Sequence, residues 1–183
     1  MSGWLVPAVV IAVIVIVFVI YLSMTAGRLD RLHHRVEAGF SSMDIQFLRR
    51  SGCALEAAES GVLDPATSLV LMEAAHNARA VPGDPIERAQ MESDLTRVLA
   101  AAFGSTEDVN EIAESDDGSA LIGDLSGSVH RAAMSRRFYN DAVRACRAVR
   151  RQRLVRWFRL AGSAPYPQSA ELDDSVPAGL VDR

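Results

Sequence analysis

Trp4-Leu-Val-Pro-Ala-Val-Val-Ile-Ala-Val-Ile-Val-Ile-Val-Phe-Val-Ile-Tyr-Leu22 carries no charged side chain, and the first one in the chain is that of Arg28. A helix rises about 1.5 Å per residue, so about 20 apolar residues cross a hydrocarbon core about 30 Å thick. Trp4 and Tyr21 frame the stretch with the two aromatic types that favour the headgroup level. A secretory signal would need a basic start, an apolar run of about 7–15 residues and small residues before its cleavage point. This run is longer, its start is Met-Ser-Gly, and the bulky Met24 precedes the best cleavage position, after Ala26. Residues 1–27 therefore read as an uncleaved transmembrane anchor. Arg28, Arg31 and Arg35 follow the span and no arginine precedes it. The positive-inside rule then sets the N-terminus outside and the rest of the chain in the cytoplasm.

Beyond the anchor the periodicity is helical. Leu29, Leu32, Val36, Gly39 and Met43 recur at steps of three and four, which predicts that the span continues into a helix as one rod, with Ser51-Gly52 as its weak point. Asp64-Pro65 supplies an N-cap and a first-turn proline, opening a helix that carries Leu69, Met72 and Ala75 to about Ala80. Val81-Pro82-Gly83 ends it, and Asp84-Pro85-Ile86-Glu87 repeats the start signal with a capping box. The third helix carries Met91, Leu95, Val98 and Ala102, with Gly104 as C-cap. Ser105 with Asp108 makes another capping box, while Asp116-Asp117-Gly118 and Gly123 weaken a continuous helix over 105–127. A last long helix spans about Ser128 to Leu160, stopped by Gly162. Pro165, Pro167, Pro177 and scattered acids make residues 163–183 a flexible, disordered tail. With no strand signals, the expected fold is all-α: a transmembrane helix continuing into an antiparallel four-helix bundle over 28–162.

Charge is sharply partitioned. The net charge is −4, and all 19 basic residues are arginine. Residues 60–130 hold 13 acids against three arginines, whereas 131–159 hold ten arginines and only Asp141. The two segments can neutralise each other inside a bundle, or the basic one can face an anionic partner. Cys53 and Cys146 match no metal or redox spacing and read as reduced, packed thiols. His33 and His34 point about 100° apart on a helix and cannot share a metal; His76 and His130 are isolated. No phosphate loop, nucleophile elbow, dinucleotide fingerprint or calcium loop is present. Neither catalysis nor a cofactor is expected.

Two segments resemble one family. Arg131-Ala-Ala-Met-Ser-Arg-Arg-Phe-Tyr-Asn-Asp-Ala-Val143 is similar to the Arg-Arg-Phe-Tyr-Asn-x-x-Val hallmark of the LemA family. Arg28-Leu-Asp-Arg-Leu-His-His-Arg-Val-Glu-Ala-Gly-Phe-Ser-Ser-Met-Asp-Ile-Gln-Phe-Leu-Arg-Arg50 resembles the family's juxtamembrane stretch. The chain departs from the family pattern at Ser51 to Ala57, at Ala145-Cys146-Arg147 and at Arg150-Arg-Gln-Arg153. The resemblance implies a membrane-anchored helical bundle of the bacterial cell envelope, without catalytic activity, acting as an interaction or scaffold protein. The alternative is an accessory or regulatory subunit of a membrane protease or ATPase complex.

Two residue sets are candidates for function. Arg136, Arg137, Phe138, Tyr139 and Asn140 can fix helix register, much as a buried Asn does in a coiled coil, or meet a protein partner. Arg150, Arg151, Arg153 and Arg156, with Trp157 and Phe158, end a helix that bundle topology returns to the inner leaflet. There each arginine gains roughly 1 kcal/mol from anionic lipid. Nucleic acid is not an expected partner, since the chain is acidic overall and no nucleic-acid motif accompanies the basic run.

Overall fold

The computed structural model describes residues 4–80 and 85–181, and its regular elements are all helices, with no strand among the described residues. Six α-helices follow one another: α1 (Leu5–Glu59), α2 (Pro65–Ala80), α3 (Pro85–Ala102), α4 (Thr106–Ile112), α5 (Asp116–Arg150) and α6 (Arg153–Trp157). A 3-10 turn, Ala178–Leu180, comes last. The expected turn at Val81 to Gly83 and the Asp84 cap lie outside the described residues.

α1 is a single helix of 55 residues that includes the apolar stretch and continues through Ser51-Gly52. Packing overrides the weak local propensity there: Arg50, Ser51, Ala54, Ala57 and Ala58 are buried, and the Ser51 hydroxyl donates to Leu48 O at 3.0 Å. The helix ends where Gly61 takes φ +78°, the left-handed conformation that closes helix C-termini. It is long and apolar enough near its N-terminus to cross a membrane, and that window has none of its surface buried.

The chain divides into two compact units, Met1–Ala38 with Ala142–Pro167, and Gly39–Asp141 with Gln168–Arg183. In the second unit one core gathers Ala54, Ala57 and Ala58 of α1, Leu71, Ala75 and Ala78 of α2, Leu95 and Leu99 of α3, Val109 of α4, and Ile122, Leu125 and Val129 of α5. The small α1 and α2 residues let those helices approach while leucines and Phe103 fill the space between. A polar cluster is buried beside it. Arg50 Nη2 donates to Glu92 Oε2 at 2.5 Å and to Glu92 O at 2.8 Å, and Arg50 Nη1 donates to Thr96 Oγ1 at 2.9 Å. Arg88 pairs with Asp44 nearby on the same helices. Burial pushes the Glu92 carboxyl above its ordinary range, against the opposing pull of the Arg50 guanidinium.

Caps explain the helix starts. Asp64 Oδ1 accepts from the Ala66 and Thr67 amides at 3.0 and 3.1 Å, and Ser105 Oγ accepts from Asp108 N at 3.2 Å. The stretch 105–127 is more helical than its glycines suggest. α5 begins at Asp116, not near Ser128, because Ser115 Oγ accepts from Gly118 N at 3.1 Å and two aspartates sit at the positive end of the helix dipole. Gly118 fits for want of a Cβ, which would stand 2.0 Å from Ile112 O. α5 also stops earlier than expected, at Arg150.

The C-terminal segment differs most from expectation. The pattern of prolines and acids suggests a flexible tail, yet residues 168–181 belong to the second unit. Leu180 is fully buried in its core, with Val176 packed against that core. Gly179 N donates to Phe103 O at 3.1 Å, and Ser126 Oγ donates to Leu180 O at 2.8 Å. A Cβ on Gly179 would meet Val109 and the Phe103 carbonyl inside 3 Å, so only glycine admits this approach. Prolines exclude regular helix here, but they do not prevent an extended chain from pairing its backbone with side chains.

Candidate membrane-surface site

The first unit contains the apolar stretch and the arginine-rich end of α5. Its residues hold ten arginines against only Asp30 and Glu37, and 142–167 contain no carboxylate at all. Mutual neutralisation by the acidic middle segment therefore does not account for this basic cluster within its own unit.

Two of the arginines work inside the unit. Arg150 Nη1 donates to Pro165 O at 2.6 Å and to His33 Nε2 at 3.2 Å, and its Nη2 donates to Ala164 O at 2.9 Å. Arg147 Nε donates to Pro167 O at 2.8 Å. Both guanidinium groups lie over the Tyr166 ring, at 5.2 and 5.3 Å from its centre. Arg150 is thus half-buried and holds the chain after α6, a role different from the free lipid-facing side chain expected of it.

α6 is set by a break and a small core. Gln152 is extended (φ −62°, ψ 137°), which ends α5 and restarts the helix at Arg153. Val155 then turns inward to Leu29, Cys146 and Val149, with Leu32, Val36 and Leu160 around them. Burial raises the thiol of Cys146 above its usual value, so it packs as a small hydrophobe. With Val155 inward, Arg151, Arg153 and Arg156 stand exposed, and Trp157 is 86% exposed. Phe158 meets Phe18 edge to face, ring centres 5.4 Å apart. Phe18 precedes Leu22 by one helical turn, so Phe158 lies about 6 Å inside the end of the apolar stretch. An exposed Trp beside exposed arginines at this level is the arrangement that membrane interfaces favour.

The Arg136 to Asn140 run is divided between two jobs. Arg136 Nε and Nη2 both donate to Asp174 Oδ2, at 2.9 and 2.7 Å. Tyr139 Oη donates to Gln168 O at 2.6 Å. Asn140 pairs with Ala170 in both directions at 2.9 Å, its Nδ2 donating to the carbonyl and its Oδ1 accepting from the amide. These three residues secure the C-terminal segment, a contact within the chain that the expectation of helix register or a protein partner does not include. Arg137 and Phe138 face outward, Phe138 being 62% exposed beside a shallow groove with Met134, Gly39 and Ser42.

Sequence reasoning missed Arg147 and Tyr166, whose contact completes the basic site beside Arg159 of the same arginine-rich run. The absence of any carboxylate over 142–167 was the readable signal. Among the described residues, no three His, Cys, Asp or Glu side chains gather as metal ligands. Compared with known proteins, the chain matches no family model and no curated protein.

Proposed function

We propose that this chain is a LemA-like, single-span protein of the bacterial inner membrane, a non-catalytic scaffold whose helical part packs as an antiparallel bundle in the cytoplasm. Its N-terminus lies outside and the basic end of α5, with α6, rests on the anionic inner leaflet. The observation that carries the reading is the Phe158–Phe18 contact, which ties the end of α6, next to exposed Trp157 and Arg156, to the apolar stretch one helical turn before Leu22. Anionic lipid attracts arginines near its surface, and Trp is stabilised at the headgroup level. The resemblance of Arg28–Arg50 and Arg131–Val143 to the LemA pattern supports the family reading.

The test uses the full chain in nanodiscs with Trp4 replaced by Phe, so that Trp157 is the sole indole. Quenching by brominated acyl chains should place Trp157 at the interface. It should weaken when Arg151, Arg153 and Arg156 are all changed to Gln. Trp157 fluorescence insensitive to brominated lipid would refute the reading.

A further inference from the structure

We propose that the open cavity of about 680 Å³ lined by Arg150, Arg151, Arg156, Arg159, Val155 and Tyr166 binds the headgroup of an anionic lipid that carries two phosphates. This deepens, and rests on, the membrane-surface reading: it turns a basic surface into a site with a preferred lipid.

The cavity has a built interior and a charged rim. Arg150 is committed to Ala164, Pro165 and His33, and with Tyr166 it shapes the wall. Val155 is buried at the base. Arg151, Arg156 and Arg159 are exposed around the rim, and none of the ion pairs among the described residues involves them. No carboxylate lines the cavity. Three like charges brought together without a counter-ion repel one another, and guanidinium groups match phosphate oxygens in geometry.

Arg159 carries a second, independent mark. It has φ +49°, the one non-glycine residue with positive φ among those described. Such backbone persists where its surroundings over-determine it, and it concentrates at ligand clamps. Here Arg159 N donates to Arg156 O, Leu160 N to Val155 O and Gly162 N to Arg159 O, locking the turn that delivers the third guanidinium to the rim.

The neighbouring depression fits an acyl chain. Leu154 and Trp157 line it together with Arg153 and Arg156, so Arg156 borders both spaces. A lipid can set its phosphates among the rim arginines and its first methylenes along Leu154 and Trp157. Three free guanidiniums favour two phosphate charges over one.

The experiment takes the full chain in nanodiscs of phosphatidylcholine with either diphosphatidylglycerol or twice the mole fraction of phosphatidylglycerol, so that lipid charge is matched. Lipid retention per chain is read by native mass spectrometry. The expected result is one retained diphosphatidylglycerol, preferred about tenfold over phosphatidylglycerol. Arg156→Gln and Arg159→Gln should each lower its retention about fivefold and collapse the preference. Arg137→Gln, exposed and in the lining of neither space, should leave the retention of both lipids and their ratio unchanged. Equal retention of both lipids, with a ratio that no variant moves, overturns the cavity while leaving the membrane-surface reading intact. Retention of neither, with Trp157 unquenched by brominated lipid, overturns both. A third arm adds inorganic pyrophosphate to the lipid-loaded chain. Displacement only at large excess supports a lipid headgroup, and displacement at equimolar pyrophosphate overturns it in favour of a free phosphate.

Discussion

Replacing Asn140 by Ala should release the C-terminal segment without unfolding the helices. Asn140 is buried, and Ala170 opposite it is buried as well. The substitution deletes the bond from Nδ2 to Ala170 O and the bond from Ala170 N to Oδ1, both 2.9 Å. Each is worth about 0.5–1.5 kcal/mol net, and a buried backbone group left without its partner costs about 1–3 kcal/mol. The Ala170 carbonyl keeps a long contact from Arg136 Nη1 at 3.5 Å, which offsets part of this. A loss of about 2–4 kcal/mol follows, and it falls on the segment, because Asn140 itself stays in the middle of α5. Converted to populations, the segment opens about 30- to 1000-fold more often. Hydrogen exchange read by mass spectrometry should therefore speed up at Ala170, Gly179 and Leu180, while α2 and α3 keep their protection. Arg136→Gln, which breaks the Asp174 pair, should act in the same direction and less strongly. Unchanged exchange at Gly179 and Leu180 in Asn140→Ala would refute the claim that this side chain holds the segment.

The Arg50–Glu92 pair should behave as buried ion pairs do: Arg50→Met or Glu92→Leu alone costs about 3–5 kcal/mol, and the double substitution returns to within about 1 kcal/mol of the parent or above it in denaturant unfolding. Because burial raises the Glu92 carboxyl, the folded state holds that proton more tightly than the unfolded chain. Its contribution is present in acid and lost as pH rises from the ordinary carboxylate range through the raised value, and Glu92→Gln should flatten this decline in stability. Gly118→Ala should destabilise by about 1–3 kcal/mol, since its Cβ would strike Ile112 O, whereas Gly123→Ala, with open space around it, should stabilise by about 0.5–1 kcal/mol; equal melting temperatures for the two would contradict this account. Cysteines introduced at Ser2 and Ser163 should report topology in intact cells, because burial raises the thiols of native Cys53 and Cys146 and keeps them slow to react. An impermeant reagent should label the first and spare the second, and the reverse pattern would invert the proposed orientation.

Local chemistry was legible from the sequence wherever neighbours along the chain supply the physics. The apolar length of residues 4–22 makes a helix able to cross a membrane. The Asp64 and Ser105 caps stand where their side chains can reach an amide two or three residues on. The all-helical class follows from steps of three and four and needs no tertiary information. What only the tertiary structure decided involves partners far apart in sequence. α1 passes Ser51-Gly52 because the core behind Ala54 and Ala57 holds it, and α5 starts at Asp116 because Gly118 fits under Ile112 O. Asn140 finds Ala170, and Leu180 finds the core, through backbone pairing that leaves no period in the sequence. Arg150 and Arg156 read alike on paper, yet one supports a loop and the other faces outward. A guanidinium has the same chemistry in both places, and which carbonyls lie within its reach is a property of the fold alone.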